Sequence, residues 1–156
     1  MVGILILGLA GSVVLAQERP QSVVSTSDMG LVLGSINMVE YERAIGAGMS
    51  FYVAAGIGWG DIFGAAMSIF SVTSGIKKYL RDTAPEGFWF GGFAGFFSAR
   101  VWGESASGFA GGGNVGYKSF ITDRLTIEGR LGGMFLTSSE LRFFGPAAGV
   151  NVGYAF

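Results

Sequence analysis

Seven charged residues lie within otherwise apolar stretches of this sequence, and their types would permit acid/base chemistry. They are Glu40, Glu42, Lys78, Arg100, Lys118, Glu128 and Arg130. A carboxylate can transfer protons in catalysis when its pKa is tuned and a substrate can reach it. The same residues can also pair with one another for structural reasons, because a charge removed from water needs a partner. Both interpretations have to be weighed against the rest of the chain.

Histidine and cysteine are both absent from the sequence. Histidine is the commonest general base near neutral pH and a frequent metal ligand, and cysteine supplies nucleophilic thiolates, disulfides and soft metal ligands. We therefore expect no catalytic residues, no metal site and no cofactor. The seven charged residues are better explained as an ion-pair network that fills a closed interior.

One motif points to a different chemistry. Residues 111–116, Gly-Gly-Gly-Asn-Val-Gly, satisfy the G-x-G-x-x-G pattern of dinucleotide-binding folds. That pattern requires a helix after the glycines within a βαβ unit, and no helical periodicity follows. A row of glycines on one face of a strand explains the same letters.

The composition favours strands that cross a membrane. Half of the 156 residues are hydrophobic and 13% are charged, and the mean hydropathy is +0.51, which is unusually apolar for a soluble domain. No interior run approaches the roughly 20 apolar residues of a membrane-spanning helix. The net charge of −1 and the lack of basic clusters argue against nucleic-acid binding.

The last eleven residues, 146–156, alternate between two kinds of side chain. Val150, Val152, Tyr154 and Phe156 share one face, while small residues and Asn151 occupy the other. A period of two predicts a strand. A large apolar face opposite a small one suits a membrane barrel, where aromatic residues lie at the lipid headgroups.

Similar alternation predicts an all-β fold, an eight-stranded antiparallel up-and-down transmembrane barrel. The predicted strands are 20–27, 29–43, 50–60, 71–81, 87–102, 109–120, 125–136 and 146–156. Seven of them follow from the pattern, and 20–27 is added because an even number brings both chain ends to the same side. Residues 27–28 then form the first loop.

The alternation also assigns residues to the two faces of the wall. The seven charged residues are expected inside, although the pattern does not decide which of the adjacent Lys77 and Lys78 points inward. Tyr52 is also expected inside, and so are the aromatics Phe88, Phe90 and Phe96 of the fifth strand. The predicted interface aromatics outside are Tyr41, Trp59, Trp89, Tyr117, Tyr154 and Phe156.

The amino-terminal segment has the features of an export signal. Residues 1–16 form an uncharged apolar run that ends in Val14-Leu15-Ala16 and is followed by polar residues. The length and the small-residue end are typical of a signal peptide, although a basic first segment is missing. We expect the mature chain, a single barrel domain over 17–156, to begin near Gln17; the alternative is a barrel strand over 3–16.

Three segments and the strand spacing carry a resemblance to a known family. The segments are 29–43, which ends Tyr41-Glu42-Arg43, the strand entry 85–88, and the end Gly153-Tyr154-Ala155-Phe156. Over residues 20–156 the chain resembles small bacterial outer-membrane barrels of the OmpA/OmpX type. The resemblance implies a monomer in outer-membrane lipid. It also implies an assembly signal, formed by Val152, Tyr154 and Phe156, that the barrel-assembly machinery reads.

Three functions remain open at this point. The first is a non-enzymatic outer-membrane barrel with a structural, adhesion or envelope-integrity role; barrel enzymes of this kind rely on a histidine. The second is a narrow channel or transporter for a small apolar solute, suggested by aromatics on the inner face. The third is a soluble lipocalin-like ligand-binding barrel, which requires the polar face outside.

Overall fold

A computed structural model describes residues 20–31, 34–46, 48–62, 65–81, 84–101, 103–139 and 142–156. The predicted signal peptide, 1–16, and the alternative strand over 3–16 lie outside the described residues. Eight strands are present: β1 (Ser22–Leu31), β2 (Gly34–Gly46), β3 (Met49–Ile62), β4 (Ala65–Tyr79), β5 (Gly87–Val101), β6 (Glu104–Phe120), β7 (Leu125–Thr137) and β8 (Arg142–Ala155). Within this part of the chain no helix is long and apolar enough to cross a membrane.

The strands form a closed antiparallel barrel in sequence order. Each strand pairs with the next, and β1 pairs with β8 from Val23 opposite Ala155 to Leu31 opposite Ala147. Closure leaves no unpaired strand edge, so the backbone donors and acceptors of the wall are satisfied without water. The predicted all-β up-and-down barrel and its carboxy-terminal strand are confirmed.

Every strand presents large apolar side chains on the outer face of the wall. One example from each strand, from β1 to β8, is Val24, Val39, Ile57, Phe70, Phe96, Val115, Leu131 and Val152, with exposed fractions from 41% to 64%. Buried polar and charged residues occupy the inner face. This is the reverse of the arrangement that a lipocalin-like soluble barrel requires.

The boundary between the first two strands was predicted wrongly. Residues 27–28 do not form a loop, because Ser27 pairs with Met38 inside the β1–β2 hairpin. The hairpin turns after Leu31, so Met29 belongs to β1 and faces Gly149 of β8 across the closing seam. The weak alternation of β1 hid its length, and only pairing with both neighbours defines it.

The face assignment of β5 was also wrong. Phe88, Phe90 and Phe96 are 51–63% exposed on the outer wall, whereas Trp89 and Phe97 are 2–3% exposed and point inward. Both faces of this strand carry large rings, so alternation alone does not decide which face is inside.

Glycines on neighbouring strands explain how large rings fit inside a narrow barrel. A Cβ atom added to Gly116 would collide with the ring of Trp89, and one added to Gly112 would collide with the ring of Phe93. Each ring therefore packs directly against the backbone of a glycine on the neighbouring strand. The interior is filled by large residues lying over glycine, and not by small residues alone as the sequence pattern suggested.

The barrel has two distinct ends. At the terminal rim the first strand begins near Ser22 and the last strand ends near Phe156, and the connections after β2, β4 and β6 lie at the same rim. The backbone groups of Ser22 and Phe156 are hydrogen-bonded to each other. At the β2–β3 connection Gly46 and Gly48 have φ angles of 98° and 66°, values that favour glycine. The loop rim is the opposite end, where two residues join β1 to β2, β3 to β4 and β5 to β6, and four join β7 to β8.

Candidate functional site: the charged interior

Six charged side chains meet inside the barrel. This charge cluster consists of Glu40, Glu42, Lys77, Lys118, Glu128 and Arg130. They come from β2, β4, β6 and β7, because alternate residues of each strand face the interior. Three carboxylates balance three cations, so the cluster is neutral as a whole.

Lys77 is the centre of the cluster. Its Nζ atom lies 2.7 Å from Glu40, 2.8 Å from Glu42 and 3.0 Å from Glu128. The side chain is completely buried. The Nζ atom also lies 4.7 Å from the centre of the Trp89 ring and 5.1 Å from that of Tyr52, distances at which an aromatic face attracts a cation.

The other two cations complete the pairing. Lys118 contacts Glu42 and lies 2.9 Å from Glu128. Arg130 donates from Nη1 to Glu40 at 2.9 Å. Each carboxylate of the cluster therefore has at least two cationic partners, a geometry that compensates for the loss of water around buried charges.

Neutral donors and acceptors surround the charges. Ser50 donates to Glu42 at 2.5 Å, and the hydroxyl of Tyr79 donates to the same oxygen at 2.6 Å. Asn151 donates to Glu128 at 3.3 Å, and Arg130 donates to the hydroxyl of Ser27 at 3.2 Å. These contacts tie β1, β3, β4 and β8 to the cluster, so all strands except β5 supply a hydrogen-bonding member.

The structure brings together five of the seven predicted network residues and leaves out two. Lys77, and not Lys78, points inward, because Lys77 pairs with the inward-facing Ser50. Arg100 lies on the exposed outer face, as the reversed phase of β5 requires. A signal for Lys77 was present in the sequence, since the apolar outer residues of β4, Phe70, Val72 and Ile76, all have even numbers.

The three carboxylates have a spacing that a metal ion could bridge, since one oxygen from each lies within 4.8 Å of the others. The ammonium group of Lys77 lies within 3.0 Å of all three, so a cation is already supplied by the chain. The carboxylates are 1% exposed, which leaves no route for a substrate among the described residues. The arrangement can hold charges in place, but it offers neither a free base nor an accessible ligand set.

An apolar layer covers the charge cluster on the side of the loop rim. Its buried members include Met38, Ile69, Phe97, Ala99, Ala110, Met134 and Leu136, and Phe93 and Phe143 pack against them. A cavity beside Asn114 and Arg130 has a volume of only about 10 Å³, the lower limit for one water molecule. At the terminal rim, Val23, Tyr79 and Ala155 are fully buried close to strand ends.

The predicted interface aromatics are mostly on the outer wall. Tyr41, Trp59, Tyr117, Tyr154 and Phe156 are 38–62% exposed, whereas Trp89 was assigned to the wrong face and lies inside against Lys77. Arg124, in the β6–β7 turn, donates to the hydroxyl of Tyr154 at 2.8 Å, and this hydrogen bond raises the pKa of Arg124. That the outer aromatics anchor the barrel at lipid headgroups stays a prediction, as does the assembly signal in Val152, Tyr154 and Phe156.

The glycine motif at 111–116 lies in the middle of β6 and pairs with β5 and β7 along its whole length. Its residues form wall backbone. No helix follows the motif, because the next element after a four-residue turn is β7. The glycines make room for the Phe93, Trp89 and Phe135 rings.

Comparison with known proteins places the fold. No family model and no curated protein matches the sequence. Among solved structures, the chain is similar to Neisserial surface protein A, with a TM-score of 0.63, 11% identity, and coverage of 86% of this chain and 93% of that one. The fold is that of the small outer-membrane barrels.

Two further solved structures agree with this fold. The outer-membrane protein Ail of Yersinia pestis has a TM-score of 0.56 at 12% identity, covering 88% of this chain and 99% of its own. The amino-terminal barrel of Pseudomonas aeruginosa OprF has a TM-score of 0.52 at 12% identity, covering 88% and 98%. The resemblance drawn from the sequence is confirmed at the level of fold.

Proposed function

We propose that this protein is a non-enzymatic integral barrel of the bacterial outer membrane with a structural, envelope-integrity role. The observation that carries the proposal is the combination of an apolar outer face on all eight strands with a neutral charge cluster inside, in which every charge has an ion-pair partner. Apolar residues outside are stable only when lipid or another apolar phase surrounds them. The interior ion pairs then link strands across the barrel and stabilise its closed form.

A role as a narrow channel has less support. Four aromatics suggested it: Tyr52 is buried inside, but Phe88, Phe90 and Phe96 are on the outer face. The described interior is filled by the charge cluster and the apolar layer, as expected for an eight-stranded barrel with just enough room for side chains. A solute would have to displace both layers to pass.

A role in adhesion also has less support than the structural role. Adhesive surfaces on such barrels would have to be built from the connections at the loop rim, and each of these has only two to four residues. Connections of this length close hairpins and offer little surface of their own. The outer wall, in contrast, extends over strands of 10–17 residues.

Two measurements test the proposal. Expressed protein should sediment with outer membranes, require detergent for extraction and show heat-modifiable mobility on gels. Purified barrel in planar bilayers should give no discrete conductance steps. Recovery in the soluble fraction without detergent would refute the membrane assignment, and reproducible conductance steps would refute the closed interior and favour the channel.

A further inference from the structure

A groove that carries an arginine and several serine hydroxyls interrupts the apolar outer wall near the loop rim. Its floor and sides include the exposed Trp59, Ser68, Ser98, Arg100 and Ser105, and its volume is about 320 Å³. The apolar Ile57 and Phe70 also line the groove. Towards the middle of the barrel the outer wall continues with the Phe96 and Phe109 rings, whose centres lie 4.6 Å apart. An arginine grouped with serine hydroxyls on such a surface needs a physical explanation.

The strand register aligns the polar residues in two rows. Trp59 pairs with Ser68, Ser68 with Arg100, and Arg100 with Ser105, so one row runs across β3, β4, β5 and β6. In the next row Ser98 pairs with Ser107, whose hydroxyl donates to that of Ser98 at 3.1 Å. Paired residues share a face of the sheet and lie about 5 Å apart. The first row is therefore a continuous strip over four strands, whereas the second is polar only on β5 and β6, because Ser98 pairs on its other side with Phe70.

Among the described residues that line the groove, Arg100 alone carries a charge. Its Nε donates to the hydroxyl of Ser105 at 3.4 Å, a long bond that uses one of five N–H donors. No ion pair within 4.0 Å links it to an acidic side chain whose position the structure describes. Glu104 adjoins Ser105 in sequence, and alternation therefore directs it to the opposite face.

We propose that this groove binds the phosphate of a lipid headgroup in the leaflet at the loop rim; the inference rests on the membrane location proposed above. A guanidinium presents paired donors that match phosphate oxygens, and the hydroxyls of Ser68, Ser98 and Ser105 add neutral donors around it. Trp59 supplies an amphipathic ring of the kind found at headgroup level. The Phe70, Phe96 and Phe109 rings continue the contact toward the acyl chains.

The test uses the full barrel refolded in neutral detergent and titrated with two lipids that share their acyl chains, phosphatidic acid and diacylglycerol. Native mass spectrometry measures the retained lipid. We expect phosphatidic acid to bind the wild-type barrel more tightly than diacylglycerol, and R100Q to weaken that binding by about tenfold, as expected for loss of hydrogen bonds to a charged group. S68A/S105A should weaken it by a smaller factor.

R142Q is the matched control, because Arg142 is an exposed arginine at the loop rim that lines a different cleft of about 310 Å³, beside Thr137 and three phenylalanines but no serine. It removes the same charge and should leave the affinity unchanged. Equal affinity of R100Q and R142Q for phosphatidic acid, or displacement of the lipid by inorganic phosphate at millimolar concentration, would overturn the headgroup site. Failure of the wild-type barrel to insert into vesicles would overturn the proposed membrane location itself, whereas insertion with equal affinities overturns the site alone.

Discussion

Replacing Lys77 by methionine tests the central claim about the interior. The Nζ atom of Lys77 lies 2.7–3.0 Å from Glu40, Glu42 and Glu128 and is fully buried. Methionine keeps most of the volume but removes the charge, which leaves three carboxylates with two cations. An uncompensated buried charge of this kind costs about 3–5 kcal/mol, so we expect the free energy of unfolding to fall by that amount.

The adjacent lysine provides a control with the same chemistry. K78M removes the same ammonium group from the next residue, which points away from the charge cluster and is partly exposed. Ion pairs at exposed positions are worth at most about 1 kcal/mol. The expected difference between K77M and K78M is therefore roughly 2–5 kcal/mol. Urea titration of the barrel in lipid vesicles, with heat-modifiable mobility as the readout, measures it.

A double substitution separates charge balance from packing. K77M/E42Q leaves Lys118 with Glu128 and Arg130 with Glu40, both at 2.9 Å. Because each remaining carboxylate keeps a cation, the double variant should be more stable than K77M alone. Equal stability of K77M and K78M, or further destabilisation by E42Q on top of K77M, would refute the proposal that the interior ion pairs stabilise the barrel.

The remaining predictions concern the wall and the two chain ends. Ile57→Arg should cost about 2–4 kcal/mol in bilayer unfolding titrations, because a charge near mid-membrane is costly, and Ile57→Leu should be nearly neutral; equal stability of the two would reverse the outer assignment of β3. Deleting Phe156, which removes about 1.5–3 kcal/mol of apolar burial, should allow refolding in detergent but prevent accumulation in outer membranes, and normal accumulation would contradict the assembly signal. Mass spectrometry of envelope-extracted protein should find a chain that begins at Gln17, whereas a retained Met1 would favour a strand over residues 3–16.

Much of the barrel could be predicted because the side-chain period of a strand is two. In β3, β7 and β8 one face carries large apolar residues over most of its length, so the alternation assigned Ile57, Leu131 and Val152 to the outer wall without any tertiary information. The same alternation assigned four charged residues to the inner face, because the opposite face is apolar and a charge on the lipid-facing side would be costly. They are Glu40, Glu42, Glu128 and Arg130. The fold class and most of the charge cluster are therefore properties of the local pattern.

The tertiary structure decided the cases in which both faces of a strand look alike. β5 carries rings on both faces, and Trp89 points inward because Gly116 on β6 leaves space for it and Lys77 lies against its ring. The outward position of Arg100 depends in the same way on which residue lies opposite across the ladder. The choice of Lys77 over Lys78, in contrast, follows from the even-numbered apolar face of β4. Register relates strands that can be distant in sequence. The contacts that select it, between rings and glycines and between cations and carboxylates, form only when the strands have paired and the barrel has closed.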